Sequence, residues 1–243
     1  MLNYNQIYSL DVFDFLNVLP DNSVDLAIID PPYNLKVADW DTFKNQDEFL
    51  NFSYRWIDCV LPKLKTTSSL YIFNTPYNCA LFLNYLQDKV NFRNWITWYK
   101  KDGFSNSKRK YNTVSETILF FTISNSYTFN ADNIRIPYGS TARIEHAKTK
   151  GILKNGKRWF PNPNGKLCTD IWEIVSQRHK EKINGKVVKP THPTIKPYEL
   201  IERIVKASSN EGDTVLDLFA GSGMGLKVCS DLQRLYLGTD LNY

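Results

Sequence analysis

Cysteine and histidine are scarce in this chain of 243 residues, which has four of the first and three of the second. Cys59, Cys79, Cys168 and Cys229 are widely scattered, with no close pair and no metal-binding spacing. That excludes a disulfide framework and suits reduced thiols in a cytosolic protein. His146 and His179 fall in a loose stretch, and His192 has no cysteine pair near it, so no metal is expected. No apolar run approaches the length of a membrane span. The first residues lack a basic segment followed by an apolar one, so no signal peptide is expected.

What is present, including 42% hydrophobic residues, supports one large α/β domain or one domain with an insertion. The formal net charge of +5 is unevenly spread. Between Arg143 and Lys189 there are 12 Lys and Arg against 4 Asp and Glu, a surplus of 8 that leaves the remainder at −3. A basic segment set in a faintly acidic body resembles a nucleic-acid contact surface, although a solvated basic loop has the same composition.

Ile7-Tyr8-Ser9-Leu10 reads as a short strand, and Val12, Phe13, Phe15, Leu16 and Leu19 recur at helical spacing. Val24 to Ile29 reads as a buried strand. A helix is predicted over Asp47 to Leu64, a strand over Ser69 to Asn74, and a helix over Pro76 to Gln87. Two further strands span Phe92 to Tyr99 and Ser115 to Thr122. This alternation predicts a mostly parallel sheet covered on both faces. From Ser124 to Lys189 the periodicity fades. Asn155-Gly156, Asn164-Gly165 and Asn184-Gly185, each followed by lysine, predict short hairpins in a loop-rich insert. Regularity returns with a helix from Tyr198 to Ser208, a strand from Thr214 to Phe219, a glycine turn, a helix to about Leu232 and a last strand from Leu235 to Thr239.

Two stretches carry chemistry. Asp30-Pro31-Pro32-Tyr33 stops the strand that ends at Ile29, because two prolines remove ladder donors and fix two φ angles. A stiff loop at a strand's carboxyl end is where open α/β sheets hold ligands. Its carboxylate, its carbonyls and its aromatic ring suit gripping the amino group of a planar base. The same residues would also serve as a plain strand-to-loop turn. The second stretch is Ala220-Gly221-Ser222-Gly223 between a strand and a helix, followed about 20 residues on by Asp240 at the end of the next strand. That is the grammar of a nucleoside site, in which the acid accepts hydrogen bonds from ribose hydroxyls. Leu226 stands where the dinucleotide fingerprint needs glycine, which argues against a pyrophosphate cofactor.

The combination of Asp30-Pro31-Pro32-Tyr33, Thr194-x-Lys196-Pro197 and Asp217-x-Phe219-x-Gly221-Ser222-Gly223 resembles the β-class DNA adenine-N6 methyltransferases over essentially the whole chain. The resemblance extends through the run from Ile152 to Gly165. It implies a Rossmann-like sheet in permuted order. Residues 1–123 would be the catalytic half, 124–190 a target-recognition insert, and 191–243 the S-adenosylmethionine half. It implies methylation of a flipped adenine in double-stranded DNA, in a short asymmetric site such as GAAGA. The setting would be a restriction-modification system in the bacterial cytosol, near the nucleoid. A cognate endonuclease would act on the same site without having to bind, and a homodimer is admissible. Asp30 and Pro31 would take the amino hydrogens, and Tyr33, set by Pro32, would stack on the base. Asp11 and Val12 would border the cofactor's adenine, Asp240 its ribose, and Thr194 and Lys196 its carboxylate. Asp30, Asp217, Phe219, Gly221, Ser222 and Gly223 would complete that pocket. Val12 equally fits plain core, and Asp217 equally fits a residue that orients the turn. Arg143, Lys154, Lys157, Arg158, Lys166 and Arg178 are candidates for phosphate or base contacts. Cytosine-N4 methylation and a catalytically silent DNA-binding module are the alternatives. Family members place two threonines where this chain has Met224-Gly225 and continue with a further helix after Tyr243. Fewer hydroxyls near the cofactor and a weaker helix start are therefore expected.

Overall fold

The computed structural model of the chain describes residues 2–100, 108–176, 181–183, 186–188 and 195–241. In chain order it contains β1 (Gln6–Tyr8), α1 (Val12–Val18), β2 (Val24–Ile29), α2 (Gln46–Val60), β3 (Leu64–Asn74) and α3 (Pro76–Leu86). Then follow β4 (Asn91–Tyr99), β5 (Ser115–Thr122), α4 (Thr141–Lys150), β6 (Ile152–Lys154), β7 (Lys157–Trp159) and β8 (Ile171–Glu173). The described chain closes with β9 (Glu181–Ile183), β10 (Lys186–Val188), α5 (Tyr198–Ser208), β11 (Thr214–Asp217), α6 (Met224–Asp231) and β12 (Leu235–Thr239).

Eight strands form one sheet in the order β1-β12-β11-β2-β3-β5-β4-β8. Neighbours pair in parallel except at β3–β5 and β5–β4, so β5 alone runs against the rest. Alternation along the strands splits the core into two layers. Ala27 and Ile29, Leu70 and Ile72, and Leu119 and Phe121 face α1, α2 and α3. Leu26 and Ile28, Tyr71 and Phe73, and Ile118 and Phe120 face α5 and α6. Both faces of β2 are therefore covered, which explains its nearly unbroken apolar run.

The carboxyl ends of β1, β12, β11 and β2 lie together at one edge of the sheet. Asp11, Asp240, Asp217 and Asp30 stand at those four ends. Because β5 is reversed, its amino end comes to the same edge and brings Glu116 with it.

The segment read as loop-rich holds more regular structure than its sequence suggests. Helix α4 has little apolar signature, a stripe of Ile144 and Ala147, and among its described side chains Ala147 is the fully buried one. Strand β8 joins the main sheet beside β4, with Trp172 buried against the α5 layer. Asn155 and Gly156, with φ of 51° and 75°, turn the β6–β7 hairpin as a type I′ pair should. Asn164-Gly165 makes no hairpin; a Cβ on Gly165 would fall 2.4 Å from the Ile136 carbonyl, and Ile136 bridges Lys166. Asn184-Gly185 lies outside the described residues. Strand β3 begins at Leu64, five residues ahead of the expected Ser69, carrying polar Lys65, Thr66 and Thr67 along the sheet's margin. Among the described residues no helix is long and apolar enough to cross a membrane.

Candidate active site

A cleft of about 410 Å³ opens at that carboxyl edge. Asp11, Val12, Asp30, Pro31, Pro32, Tyr33, Lys196, Asp217, Phe219, Gly221, Ser222 and Asp240 all line it. The two stretches singled out in the sequence, nearly two hundred residues apart, therefore share one cavity. Gly223 stands just behind the lining as the cap of α6, at φ 76°. Val12 both lines the cleft and packs in the core, so its two readings coexist. Thr194 and Arg178 lie outside the described residues.

At one end Asp30 is the hub. Its Oδ1 accepts the Tyr33 hydroxyl at 2.9 Å and its Oδ2 accepts Lys196 Nζ at 2.6 Å. Glu116 is the second anion here, and nothing in the motifs pointed to it. It accepts the Tyr33 hydroxyl at 3.0 Å, lies 3.6 Å from Lys196 and pairs with Lys100. Burial works against the charge on Glu116, but Lys196 and Lys100 outweigh it and lower its pKa. Burial likewise opposes the charge on Lys196, and Asp30 and Glu116 reverse that, holding it protonated. Burial, followed by the charges of Asp30 and Glu116, pushes the Tyr33 phenol well above its ordinary value, so it stays a donor. Lys196, assigned by resemblance to the cofactor's carboxylate, is here the counter-ion of Asp30.

The backbone around the tetrapeptide is tied down carbonyl by carbonyl. Asn74 donates to the Pro32 carbonyl at 3.2 Å, and Asn78 to that of Tyr33 at 3.0 Å. Asn78 also donates to Asn74 Oδ1 and accepts from Gln46. Among the described residues no donor meets the Pro31 carbonyl.

The other end is the glycine turn. Asp240 Oδ2 accepts Gly221 N–H at 2.9 Å, and the Thr239 carbonyl accepts Ala220 N–H at 3.0 Å. Gly221 sits at φ 50°, in the region glycine tolerates. Asp217 closes β11, accepting Phe219 N–H at 3.2 Å and the Tyr236 hydroxyl at 3.2 Å. Burial raises its pKa to about 7, against the pull of the Phe219 amide, with Asp30 and Asp240 adding to the rise. Asp11 caps α1 by accepting Phe13 N–H at 2.8 Å. Phe43, Phe52, Phe73 and Phe219 supply apolar wall.

Six carboxylates and one lysine line the cleft. Such a lining favours a ligand carrying positive charge beside flat apolar surface. S-adenosylmethionine, with a sulfonium, an ammonium and an adenine ring, fits that donor set. Among the described residues no cluster of His, Cys, Asp and Glu is placed to hold a metal.

The basic candidates sit elsewhere. Lys154, Lys157 and Arg158 are exposed on the β6–β7 hairpin, and exposed Lys166 follows Gly165. Arg158 donates to the Lys150 carbonyl at the end of α4, tying the hairpin to the helix that carries Arg143. Exposed Trp159, Phe160 and Leu153 interleave with these charges.

Comparison with known proteins points the same way. The family model described as DNA methylase, of the N6/N4 methyltransferases, matches residues 24–243. The Type II methyltransferase M1.MboII of Moraxella bovis is 58% identical over 243 residues, all of this chain and 94% of that protein. The structure of the M1.HpyAVI–SAM complex matches with a TM-score of 0.64 at 22% identity, over 97% of this chain and 92% of the other. The cytosine-N4-specific PvuII DNA methyltransferase matches with a TM-score of 0.73 at 15% identity, over 99% and 83%. At such identities these two structures speak for the fold. With the family model covering nearly the whole chain and a relative 58% identical along its full length, this chain belongs to the DNA methylase family, the S-adenosylmethionine-dependent amino-methyltransferases of DNA.

Proposed function

We propose that the chain methylates N6 of an adenine flipped out of duplex DNA, within a short asymmetric site such as GAAGA. It would be the modification arm of a restriction-modification system in the bacterial cytosol, sharing its site with a cognate endonuclease. Residues 124–190 would meet the DNA, with the two flanking segments forming the catalytic and cofactor halves. The observation that carries this reading is the Asp30 carboxylate beside a Pro31 carbonyl that no donor among the described residues meets, both residues lining the cleft that holds the glycine turn.

Adenine's amino nitrogen is a weak nucleophile because its lone pair is delocalised into the ring. The base has to leave the stack, at a cost of a few kcal/mol. Tyr33, fixed through its hydroxyl, offers a ring on which stacking recovers roughly 1–3 kcal/mol. The Pro31 carbonyl takes one amino hydrogen. Asp30 takes the other on a further lone pair, since among the described residues each of its carboxylate oxygens accepts one hydrogen bond. Two acceptors localise the lone pair as the nitrogen becomes tetrahedral, so their hold tightens toward the transition state. S-adenosylmethionine supplies the electrophilic methyl group. Lys196 stays paired with Asp30 beside the base.

The family model, which takes in N6 and N4 enzymes alike, admits a second reading, in which the same acceptors grip cytosine. Incubating the protein with labelled S-adenosylmethionine and unmodified DNA, then separating the nucleosides, decides between them. Labelled N6-methyladenine is expected; N4-methylcytosine would install the second reading, and no label would remove both.

A further inference from the structure

Twelve residues beyond the end of β2, Asp41 is a buried carboxylate, 1% exposed, in a short 3₁₀ turn. No motif includes it. Its Oδ1 accepts Tyr33 N–H at 2.5 Å and Asn34 N–H at 2.9 Å. Its Oδ2 accepts Leu35 N–H at 2.8 Å and Val37 N–H at 3.3 Å. The remaining amide of the run, Lys36 N–H, reaches the main-chain carbonyl of Asp41 at 3.3 Å. Five consecutive amides thus converge on one residue.

The backbone is bent to make this happen. Asn34 and Lys36 hold φ of 58° and 60°, and alternation of this kind turns successive amides to one side as an anion-binding nest. Asparagine tolerates that region; lysine rarely enters it, so the conformation is imposed by the carboxylate it surrounds. Tyr33 is therefore held at both ends, its amide by Asp41 and its hydroxyl by Asp30 and Glu116. The same staple sets the exposed apolar side chains of Leu35 and Val37 at the rim of the cleft.

We infer that Asp41 is a positioning residue for methyl transfer: it fixes the backbone that carries Tyr33, and so the plane on which the flipped base rests. This rests on the reading of Tyr33 as the base platform. A staple whose hydrogen bonds all go to the Tyr33 side of the cleft, and none to the glycine turn, would act on the transfer step and leave cofactor affinity alone.

The test compares the native chain with Asp41→Asn, which keeps the volume but turns an NH₂ group toward converging donors. Lys36→Pro is the second variant. It forbids the positive φ from an exposed position and leaves Asp41 in place, so it serves if the first fails to fold. Turnover on unmodified genomic DNA with tritiated-methyl S-adenosylmethionine is expected to fall at least tenfold. The dissociation constant for S-adenosylmethionine should move less than threefold, and hydrogen exchange should quicken at residues 33–37 only. Turnover within threefold of native in a variant whose 33–37 amides exchange freely overturns the inference. So does a joint loss of turnover, cofactor affinity and protection across the sheet, which marks a merely structural role. A native chain that labels no DNA overturns the methyltransferase reading itself, and this inference with it.

Discussion

Restoring the family's threonine at position 225 should harm this protein. A Cβ on Gly225 would lie 2.9 Å from Asp217 Oδ2 and 3.0 Å from Tyr236 Cε2. The fully buried Tyr236 ring also runs over Gly238, whose Cβ would fall 2.5 Å from its hydroxyl. Tyr236 thus occupies the space that two side chains would need, and its hydroxyl reaches Asp217 at 3.2 Å. A hydroxyl near Asp217 is present after all, delivered from β12 rather than from α6. Gly225→Thr gains about 0.3–0.5 kcal/mol of helix propensity but overpacks a closed site, typically at about 1–3 kcal/mol. The net loss should be about 1–2 kcal/mol, which for a domain of this size lowers Tm by roughly 3–6 °C. Tyr236→Val alone opens a cavity and should cost about 2–4 kcal/mol. The double variant should recover about 1–2 kcal/mol relative to the sum, because the threonine then has room. Thermal unfolding followed by circular dichroism reads all three. If Gly225→Thr unfolds at or above the native temperature, or the double variant is additive, the steric argument is wrong.

Glu116→Gln leaves Lys196 with the Asp30 charge alone and takes the paired carboxylate from Lys100, in a largely buried cluster. A Tm loss worth about 1–3 kcal/mol is expected, with methyl transfer slowed tenfold or more and cofactor affinity unchanged; isothermal titration and single-turnover labelling separate the effects. Asp217, with its pKa raised to about 7, makes the free protein pH-sensitive. A folded pKa above the unfolded value near 3.9 gives stability that is full below pH 4 and lost as pH rises through 7. Chemical denaturation at pH 5 and pH 8 should therefore differ by about 2–3 kcal/mol from this group, and Asp217→Asn should flatten the curve.

The tetrapeptide was legible because its physics is local: an apolar run, then two prolines at a strand end. The glycine turn and Asp240 were legible for the same reason. Glu116 was not, because its place follows from the reversed direction of β5, which periodicity does not reveal. Asp41 was not, because its partners are backbone amides and carry no side-chain signature. Gly225 read as a weak helix start, whereas the structure makes it a matter of room for Tyr236. Lys196 lines the cleft as the motif suggests, but its partner is Asp30, a pairing across 166 positions that no motif spells out. Helix α4 was missed for want of apolar positions.

The central claim is that Asp30 grips the amino group of the target base and is not needed to hold the cofactor. Asp30→Ala is the direct measurement, read as labelled-methyl transfer to unmodified DNA alongside titration with S-adenosylmethionine. Transfer should fall by three orders of magnitude or more, the loss of one principal electrostatic contact to the transition state, while the cofactor still binds within a fewfold of native. Turnover retained by the folded variant would contradict the account.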